Sequence, residues 1–273
     1  MTEDPNQPDF SFPLFVPGSR PERIAKAWAS GADAIIIDLE DAVAAADKNS
    51  ARAAVSAAIT ERPAVTTYLR INSVDTPWYD DDLELLISAP FHGVVLPKAE
   101  TAEQLTKLRR QLQPDKKIIA LIESAQGLAN VRALAPEADR LAFGSIDYCA
   151  DIGLQHTQTA LLHARSEIVL ASRAAGISGP LDGITTAIND AVVIQQDAAH
   201  SAELGFVGKL LIHPAQLVPA RQGFAPSADE IGWAEQVIDA VTDNGVAKVN
   251  GQMVDAPVIT RARNLLARQA ALS

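Results

Sequence analysis

Ala34-Ile35-Ile36-Ile37-Asp38 is an unbroken apolar run closed by a carboxylate, and the same pattern recurs four more times in the first half of the chain. Tyr68-Leu69 ends in Arg70, Val94-Val95-Leu96-Pro97 in Lys98, and Ile119-Ala120-Leu121-Ile122 in Glu123. Leu141-Ala142-Phe143-Gly144 is followed by Asp147. Helix-length amphipathic stretches separate the runs, which is the pattern of parallel strands buried on both faces. Their C-terminal ends then converge on one face, where barrel enzymes place their chemistry. Two separated carboxylates, an arginine and a lysine on one rim suit a divalent metal and an anionic substrate.

The alternation extends outward on both sides. Phe12 to Val16 is a first apolar run closed by Pro17-Gly18, and Arg20-Pro21-Glu22-Arg23 opens a helix with proline in its first turn. Strands are predicted at 33–38, 65–70, 93–96, 117–123, 140–143, 179–181 and 208–212, the last ending at His213-Pro214. Helices are predicted at 48–60, 79–88, 101–111, 128–135, 157–175 and 187–204. Eight strands each followed by a helix match an α/β fold of the (β/α)8, or TIM, barrel type. No Gly-x-Gly-x-x-Gly follows the first strand and no Walker-type loop occurs, so an open nucleotide-binding sheet loses its usual support. Beyond strand eight lie a helix at 228–242, the stretch Gly251-Gln252-Met253-Val254-Asp255 and a final helix from Pro257. The organisation expected is a flexible tail over 1–10, a barrel over 11–225 and a C-terminal helical extension or lid over 226–273, which covers the site or docks on a neighbour.

With 273 residues and 48% hydrophobic side chains, the chain is long enough for one large core, and no flexible linker divides it. A net charge of -11 with no basic stripe argues against nucleic-acid binding. No secretory signal and no apolar run of membrane-spanning length are visible, so a cytoplasmic protein with no membrane partner is expected. The single cysteine, Cys149, excludes an intrachain disulfide and reads as a small buried side chain.

Glu123 and Asp147 fall at the ends of the fifth and sixth strands, side by side across a barrel mouth. Two carboxylates leave most of an octahedral Mg2+ shell to water and substrate oxygens. The alternative is a pair of acids capping the following helices. Arg70 is placed to take a substrate carboxylate in a bidentate grip, or else to serve as a structural partner of Asp38 or Glu40. Asp38, Glu40 and Asp41 crowd three acids into four residues, which calls for an opposing cation such as Arg70 or Lys98, unless the turn is simply solvated. His213 is the histidine best placed at a strand end, yet a lone histidine is more often structural than basic. Ser19, Ser124 and Ser145 lack an adjacent histidine, so serine nucleophilic catalysis has no support.

Taken together these residues resemble the citrate lyase β-subunit-like acyl-CoA lyases of the HpcH/HpaI aldolase superfamily. The resemblance runs from Leu14 to about Leu265, through LFVPGSRPER (14–23), IIIDLEDAV (35–43), LRIN (69–72), VVLPKAE (94–100), LIESAQGLANV (121–131), LAFGSIDYCADIG (141–153), GFVGKLLIHPAQL (205–217) and GQMVDAPV (251–258). It implies a barrel that binds Mg2+ through Glu123 and Asp147, with Arg70 on the carboxylate of a 2-keto acid beside Glu123, Gly144 and Ser145. It implies a thioester lying along Phe15, Arg20 and Pro180-Leu181-Asp182. It also implies that Asp255 enters the site of an adjacent subunit on a C-terminal lid, and hence a homotrimer or homohexamer. The activity implied is Claisen-type cleavage or formation of a 3-hydroxyacyl-CoA such as citramalyl-, malyl- or hydroxymethylglutaryl-CoA. Asp255 would act as acid or base, with Arg70, Glu40 and Asp41 supporting it. A citrate lyase β subunit acting on a carrier-protein thioester and a non-catalytic barrel of the family are the alternatives. The chain departs from the family around Ser145, where relatives often carry an acid just before the aspartate that Asp147 matches.

Overall fold

The strands of the structure, a computed structural model describing residues 10–240, 247–249 and 252–272, pair in simple sequence order. They are β1 (Pro13–Pro17), β2 (Ala34–Asp38), β3 (Thr66–Arg70), β4 (Gly93–Leu96), β5 (Lys117–Ile122), β6 (Arg140–Phe143), β7 (Ser178–Asp182) and β8 (Gly208–Lys209). All neighbouring pairs are parallel. The ring closes between the last and first strands. There the Lys209 N–H donates to the Ser11 carbonyl at 2.8 Å, the Leu211 N–H to Pro13 at 3.0 Å and the Phe15 N–H to Leu211 at 2.8 Å. The expected (β/α)8 barrel is the observed fold.

The helices are α1 (Ile24–Trp28), α2 (Lys48–Ala58), α3 (Tyr79–Ser88), α4 (Ala102–Gln111), α5 (Ala125–Ala129), α6 (Val131–Leu134), α7 (Ser145–Ile152), α8 (Gln158–Ala175), α9 (Ala191–Glu203) and α10 (Leu217–Phe224). Three differ from expectation, α10 among them, since no helix was expected between strand eight and residue 228. The helix expected at 128–135 is broken at Asn130 into α5 and α6. An extra helix, α7, starts directly after β6 and carries Asp147 in its first turn. Gly153, at φ +74°, ends α7 in the left-handed conformation that glycine adopts without strain. Thr101 caps α4 by accepting from the Gln104 N–H, which fixes where that helix starts.

Continuous apolar runs arise because each strand buries both faces. Ala34, Ile36, Tyr68, Val95, Ile119, Leu121, Ala142, Leu181 and Leu210 fill the barrel interior. Their alternate neighbours Ile35, Ile37, Leu69, Val94, Leu96, Ile118 and Ile122 pack under the helices. Each such aliphatic side chain stabilises the fold by about 1.5–3 kcal/mol when fully buried. Phe10, the last residue of the expected tail, is buried in the interior layer against Tyr68, while residues 1–9 lie outside the described part.

The C-terminal segment comprises α11 (Ala228–Ala240), the antiparallel pair β9 (Ala247–Val249) and β10 (Gln252–Val254), and α12 (Ala256–Leu272). Ala234, Val237, Val254, Ala262 and Leu265 form its own small core. A crevice of about 950 Å3 separates α12 from the barrel, with Ser11, Phe206 and Val207 on its barrel wall. These residues precede β1 and β8, so α12 lies toward the N-terminal rim of the barrel. Among the described residues no helix is long and apolar enough to cross a membrane.

Candidate active site

Four neighbouring strands deliver the rim residues. Arg70 ends β3, Lys98 lies two residues past β4, Glu123 directly follows β5, and Asp147 sits in the first turn of the helix after β6. Glu123 is 2% exposed; its Oε1 accepts the Lys98 N–H at 2.8 Å, and its Oε2 has no hydrogen-bond partner among the described residues. Lys98 makes that contact from φ +47°, a left-handed conformation uncommon for a side-chain-bearing residue and characteristic of functional sites. Gly144 is required beside it: a Cβ there would lie 2.4 Å from the Glu123 Cβ and 2.5 Å from Oε2. Burial, then the Glu40 charge, pushes the Glu123 pKa up to about 8. Burial and then the Asp41 charge also raise that of the half-buried Asp147. Arg70 acts to lower both values without offsetting the burial of the two acids.

Arg70 faces the acidic loop. Its Nε and Nη2 donate to the two Asp38 carboxylate oxygens at 2.8 and 2.7 Å, while Nη1 lies 3.1 Å from Glu40 Oε2 and 3.7 Å from Asp41 Oδ2. The Phe15 ring lies under its guanidinium, 4.8 Å from the centroid. Burial acts to lower the Arg70 pKa, but the Asp38 charge and hydrogen bonds, then Glu40, outweigh it and raise it. The structural partnership weighed from sequence is thus present in full, with Nη1 as the edge left toward the acids. Burial also carries Glu40 up to about 7, although Arg70 opposes this.

No side-chain pattern in the chain indicates what holds this loop. Buried Lys48 on α2 donates from Nζ to the backbone carbonyls of Leu39 (2.8 Å) and Glu40 (2.7 Å) and to Asn72 Oδ1 (2.7 Å). Asn72 in turn donates to Leu39 O and to Asp82 Oδ2, and Arg52 donates to Asp82. A buried ammonium with three acceptors is fully satisfied, so the loop carrying Asp38, Glu40 and Asp41 is fixed from behind.

Other residues expected at the site fall in several places. Phe15 is partly buried beside Arg70, and Arg20 is exposed on the loop after β1. Leu181 points into the barrel interior and is fully buried. Asp182, expected along the thioester, faces the opposite way. It accepts from Arg165 Nε at 3.1 Å and from the Ser201 hydroxyl, with Lys209 Nζ at 3.5 Å, and it has no exposure. Burial would raise its pKa, but Lys209 and then Arg165 hold it below the usual carboxylate range. Its side chain is a structural ion-pair centre between strand and helices, because successive strand residues point to opposite faces.

Ser145 also corrects the sequence reading, since the fold brings His156 Nε2 to 2.9 Å from its hydroxyl. At 1% exposure that hydroxyl is shut away from solvent, wedged where a Cβ on Gly183 would meet it at 2.3 Å. His213 is structural, its Nδ1 accepting the Ala215 N–H at 3.2 Å. The Cys149 thiol is buried, which raises its pKa. Exposed Asp255 caps α12 by accepting the Val258 N–H at 3.2 Å. Its neighbours Ala256 and Pro257 line the crevice toward the N-terminal rim, so within one chain the fold does not bring Asp255 to Glu123, Asp147 and Arg70.

A sequence profile described as HpcH/HpaI aldolase/citrate lyase matches residues 11–214, from the strand-one approach to the end of the barrel. The citrate lyase subunit beta-like protein of Deinococcus radiodurans is 36% identical over 275 residues, covering 94% of this chain and 96% of its own. The (3S)-malyl-CoA thioesterase of Cereibacter sphaeroides is 34% identical over 271 residues, covering 95% of this chain and 94% of its own. Among solved structures, the protein CitE from Mycobacterium tuberculosis in complex with magnesium, acetoacetate and coenzyme A superimposes with a TM-score of 0.85 at 35% identity. That match covers 96% of this chain and 98% of the other.

Proposed function

Because the chain belongs to the HpcH/HpaI aldolase/citrate lyase family, we propose that it is a Mg2+-dependent carbon–carbon lyase that cleaves, or forms by condensation, a 3-hydroxyacyl-CoA. The observation that carries this reading is the buried Glu123 Oε2, without a hydrogen-bond partner among the described residues, beside Asp147, both acids having pKa values raised first by burial. Those residues fit a hard divalent ion, which takes carboxylate oxygens and leaves its other positions to water and substrate. Glu123 and Asp147 would hold it, and when bound it would polarise the substrate's hydroxyl or keto oxygen as a Lewis acid. The related M. tuberculosis structure, which carries magnesium and coenzyme A, supports the same assignment.

The remaining roles belong to the chain's own side chains. Arg70 Nη1, held edge-on by Asp38, positions the carboxylate of the keto-acid fragment. Phe15 and Arg20 border the thioester, Arg20 as an exposed cation for the anionic coenzyme. Gly144 and the Ser145 backbone give the keto acid room beside Glu123. In cleavage the carbinol hydroxyl gives its proton to solvent, its oxygen becomes the carbonyl of the departing keto acid as the bond between the α-carbon and the carbinol carbon breaks, and the electron pair of that bond passes into a thioester enolate. The enolate carbon then takes up a proton, for which Asp255 of an adjacent subunit is the donor, and condensation runs the same transfer backwards. Glu40 and Asp41 fix Arg70 during this step. A lid acting in trans requires a homo-oligomer, a trimer or a pair of trimers.

Glu123→Gln and Asp147→Asn test the reading. Each is expected to abolish Mg2+-dependent release of a keto acid while leaving a folded protein. Unchanged turnover in both would remove the metal assignment.

A further inference from the structure

Asp147 is carried by a helix whose start has no side-chain cap. Gly144 stands at the N-cap of α7, and the opening turn, Ser145 to Tyr148, holds Asp147. A carboxylate on so short a helix is aimed only as well as that turn is anchored. Ser145 supplies the anchor. Among the described residues it is the one side chain of the turn with a hydrogen bond beyond the helix, its hydroxyl lying 2.9 Å from His156 Nε2. The chain returns to make this contact: Gly153 at φ +74° ends α7, the Leu154 N–H donates to the Cys149 carbonyl at 2.9 Å, and exposed His156 comes back to the opening turn.

The hydroxyl is confined from the other side. Ser145 is buried, and a Cβ on Gly183, just past β7, would meet its Oγ at 2.3 Å and its own Cβ at 2.9 Å. A buried hydroxyl is costly to leave without a partner, so the turn stays where the histidine holds it. Both acids of the site depend on that turn. Asp147 follows Ser145 by two residues. Gly144 precedes it by one and packs so closely on Glu123 that a Cβ there would lie 2.5 Å from Oε2. A shift of Ser145 is therefore passed to Glu123 through Gly144 and to Asp147 through the helix. The far turn of α7 is held separately, because Asp151 Oδ2 accepts the Ala125 N–H at 2.7 Å. Loss of the histidine contact would loosen the opening turn while leaving the helix in place.

We propose that His156 is a positioning residue: through Ser145 it clamps the opening turn of α7 and thereby sets the spacing of Glu123 and Asp147 for a divalent cation. The proposal rests on the reading of those two acids as the metal pair and goes beyond it by giving a function to a side chain in the loop after α7.

Calorimetric titration of chelator-treated protein with Mg2+, in the presence of pyruvate, reads the spacing of the two acids without turnover. The wild-type protein is expected to bind Mg2+. His156→Ala and Ser145→Ala each weaken that binding by about tenfold, as for other residues that orient metal ligands. The double variant is no weaker than either single one, because both remove the same contact. His156→Gln, which keeps a hydrogen-bonding group at comparable reach, recovers most of the affinity. Far-UV circular dichroism of the metal-free variants matches the wild type, since Asp151 and the turn at Gly153 still hold α7. Wild-type Mg2+ affinity in His156→Ala, losses that add in the double variant, or a His156→Gln protein no better than His156→Ala overturns the clamp. If the wild-type protein itself takes up no Mg2+, the metal reading fails.

Discussion

Gly144→Ala puts the candidate metal site under a purely steric load. The residue has φ -88°, which alanine adopts freely, so no backbone strain enters. The new Cβ would sit 2.4 Å from the Glu123 Cβ and 2.5 Å from Oε2. Ordinary carbon contacts lie at about 3.5–4.0 Å, so the two residues must separate by roughly 1 Å. Glu123 cannot swing aside at low cost, because it is 2% exposed and its Oε1 is tied to the Lys98 N–H. Overpacking of this kind costs about 1–3 kcal/mol. At about 2–4 °C per kcal/mol for a domain of comparable size, the fall in Tm is on the order of 5 °C. The larger effect is on ligand linkage. Mg2+ at a hundred times its Kd adds about 2.7 kcal/mol to the native protein, and a displaced Oε2 removes most of that increment. Thermal unfolding with chelator and with Mg2+ plus pyruvate reads both quantities, and Gly232→Ala in α11, with nothing within 4 Å, is the control: its Tm rises slightly from the better helix propensity of alanine while its Mg2+ increment is unchanged. A Gly144→Ala protein with the full Mg2+ increment would refute the placement of the metal at Glu123.

Lys48→Met removes the three hydrogen bonds behind the acidic loop while keeping the side-chain length. The expected result is a kcat lowered by roughly tenfold, equivalent to about 1.4 kcal/mol, with thioester KM little changed, because the ammonium that ties Leu39 O, Glu40 O and Asn72 together is lost while both carbonyls keep a donor, Asn72 and the Val43 N–H; a rise in KM alone would contradict a positioning role. Lys209 Nζ also lies 2.9 Å from Asp197 Oδ2 on α9, so Lys209→Met leaves Arg165 as the one cation paired with Asp182 and Asp197 among the described residues, and urea unfolding should show a loss of about 3–5 kcal/mol, as for other broken buried ion pairs. In the metal-free protein Glu123 and Glu40 keep protons up to about pH 8 and 7 that the unfolded chain sheds near the usual 4.5, so stability falls as pH rises through that window. Asp182 and Asp197 act at the acid end with the opposite sign, their contribution being lost as pH falls below the unfolded carboxylate range and through their lowered values. Denaturation of chelated protein at pH 5.5 and 8 checks the first window, and equal stability at both would contradict it. Asp255→Ala mixed with Arg70→Ala should recover partial activity if sites are shared between subunits, and no recovery despite proven subunit exchange would sink the lid in trans.

The barrel was legible because a strand buried on both faces writes itself as a continuous apolar run, and the charged residue that ends it marks the rim. Arg70, Lys98 and Glu123 were all located in this way. What the run does not encode is which face its last residue takes. Leu181 points inward, so Asp182 points outward into Arg165 and Lys209, although the family resemblance implies that both lie along the thioester. Helix α7 was missed because eight residues opening on a strand-end glycine give too little periodicity to separate from a loop. The pairing of Ser145 with His156, eleven positions on, depends on how α7 ends at Gly153 and the chain returns. The grip of Lys48 on Leu39 and Glu40 uses backbone carbonyls, which no side-chain pattern reports.

If Glu123 and Asp147 serve metal-dependent carbon–carbon cleavage, the products released from a thioester panel reveal it. The protein is offered malyl-, citramalyl-, citryl- and hydroxymethylglutaryl-CoA, with Mg2+ and with chelator, while acetyl-CoA, free CoA and each keto acid are followed. Acetyl-CoA and one keto acid are expected to appear in equal amounts, with Mg2+ and not with chelator. Release of free CoA and the intact hydroxy acid without any keto acid, or cleavage undiminished by chelator, would contradict it.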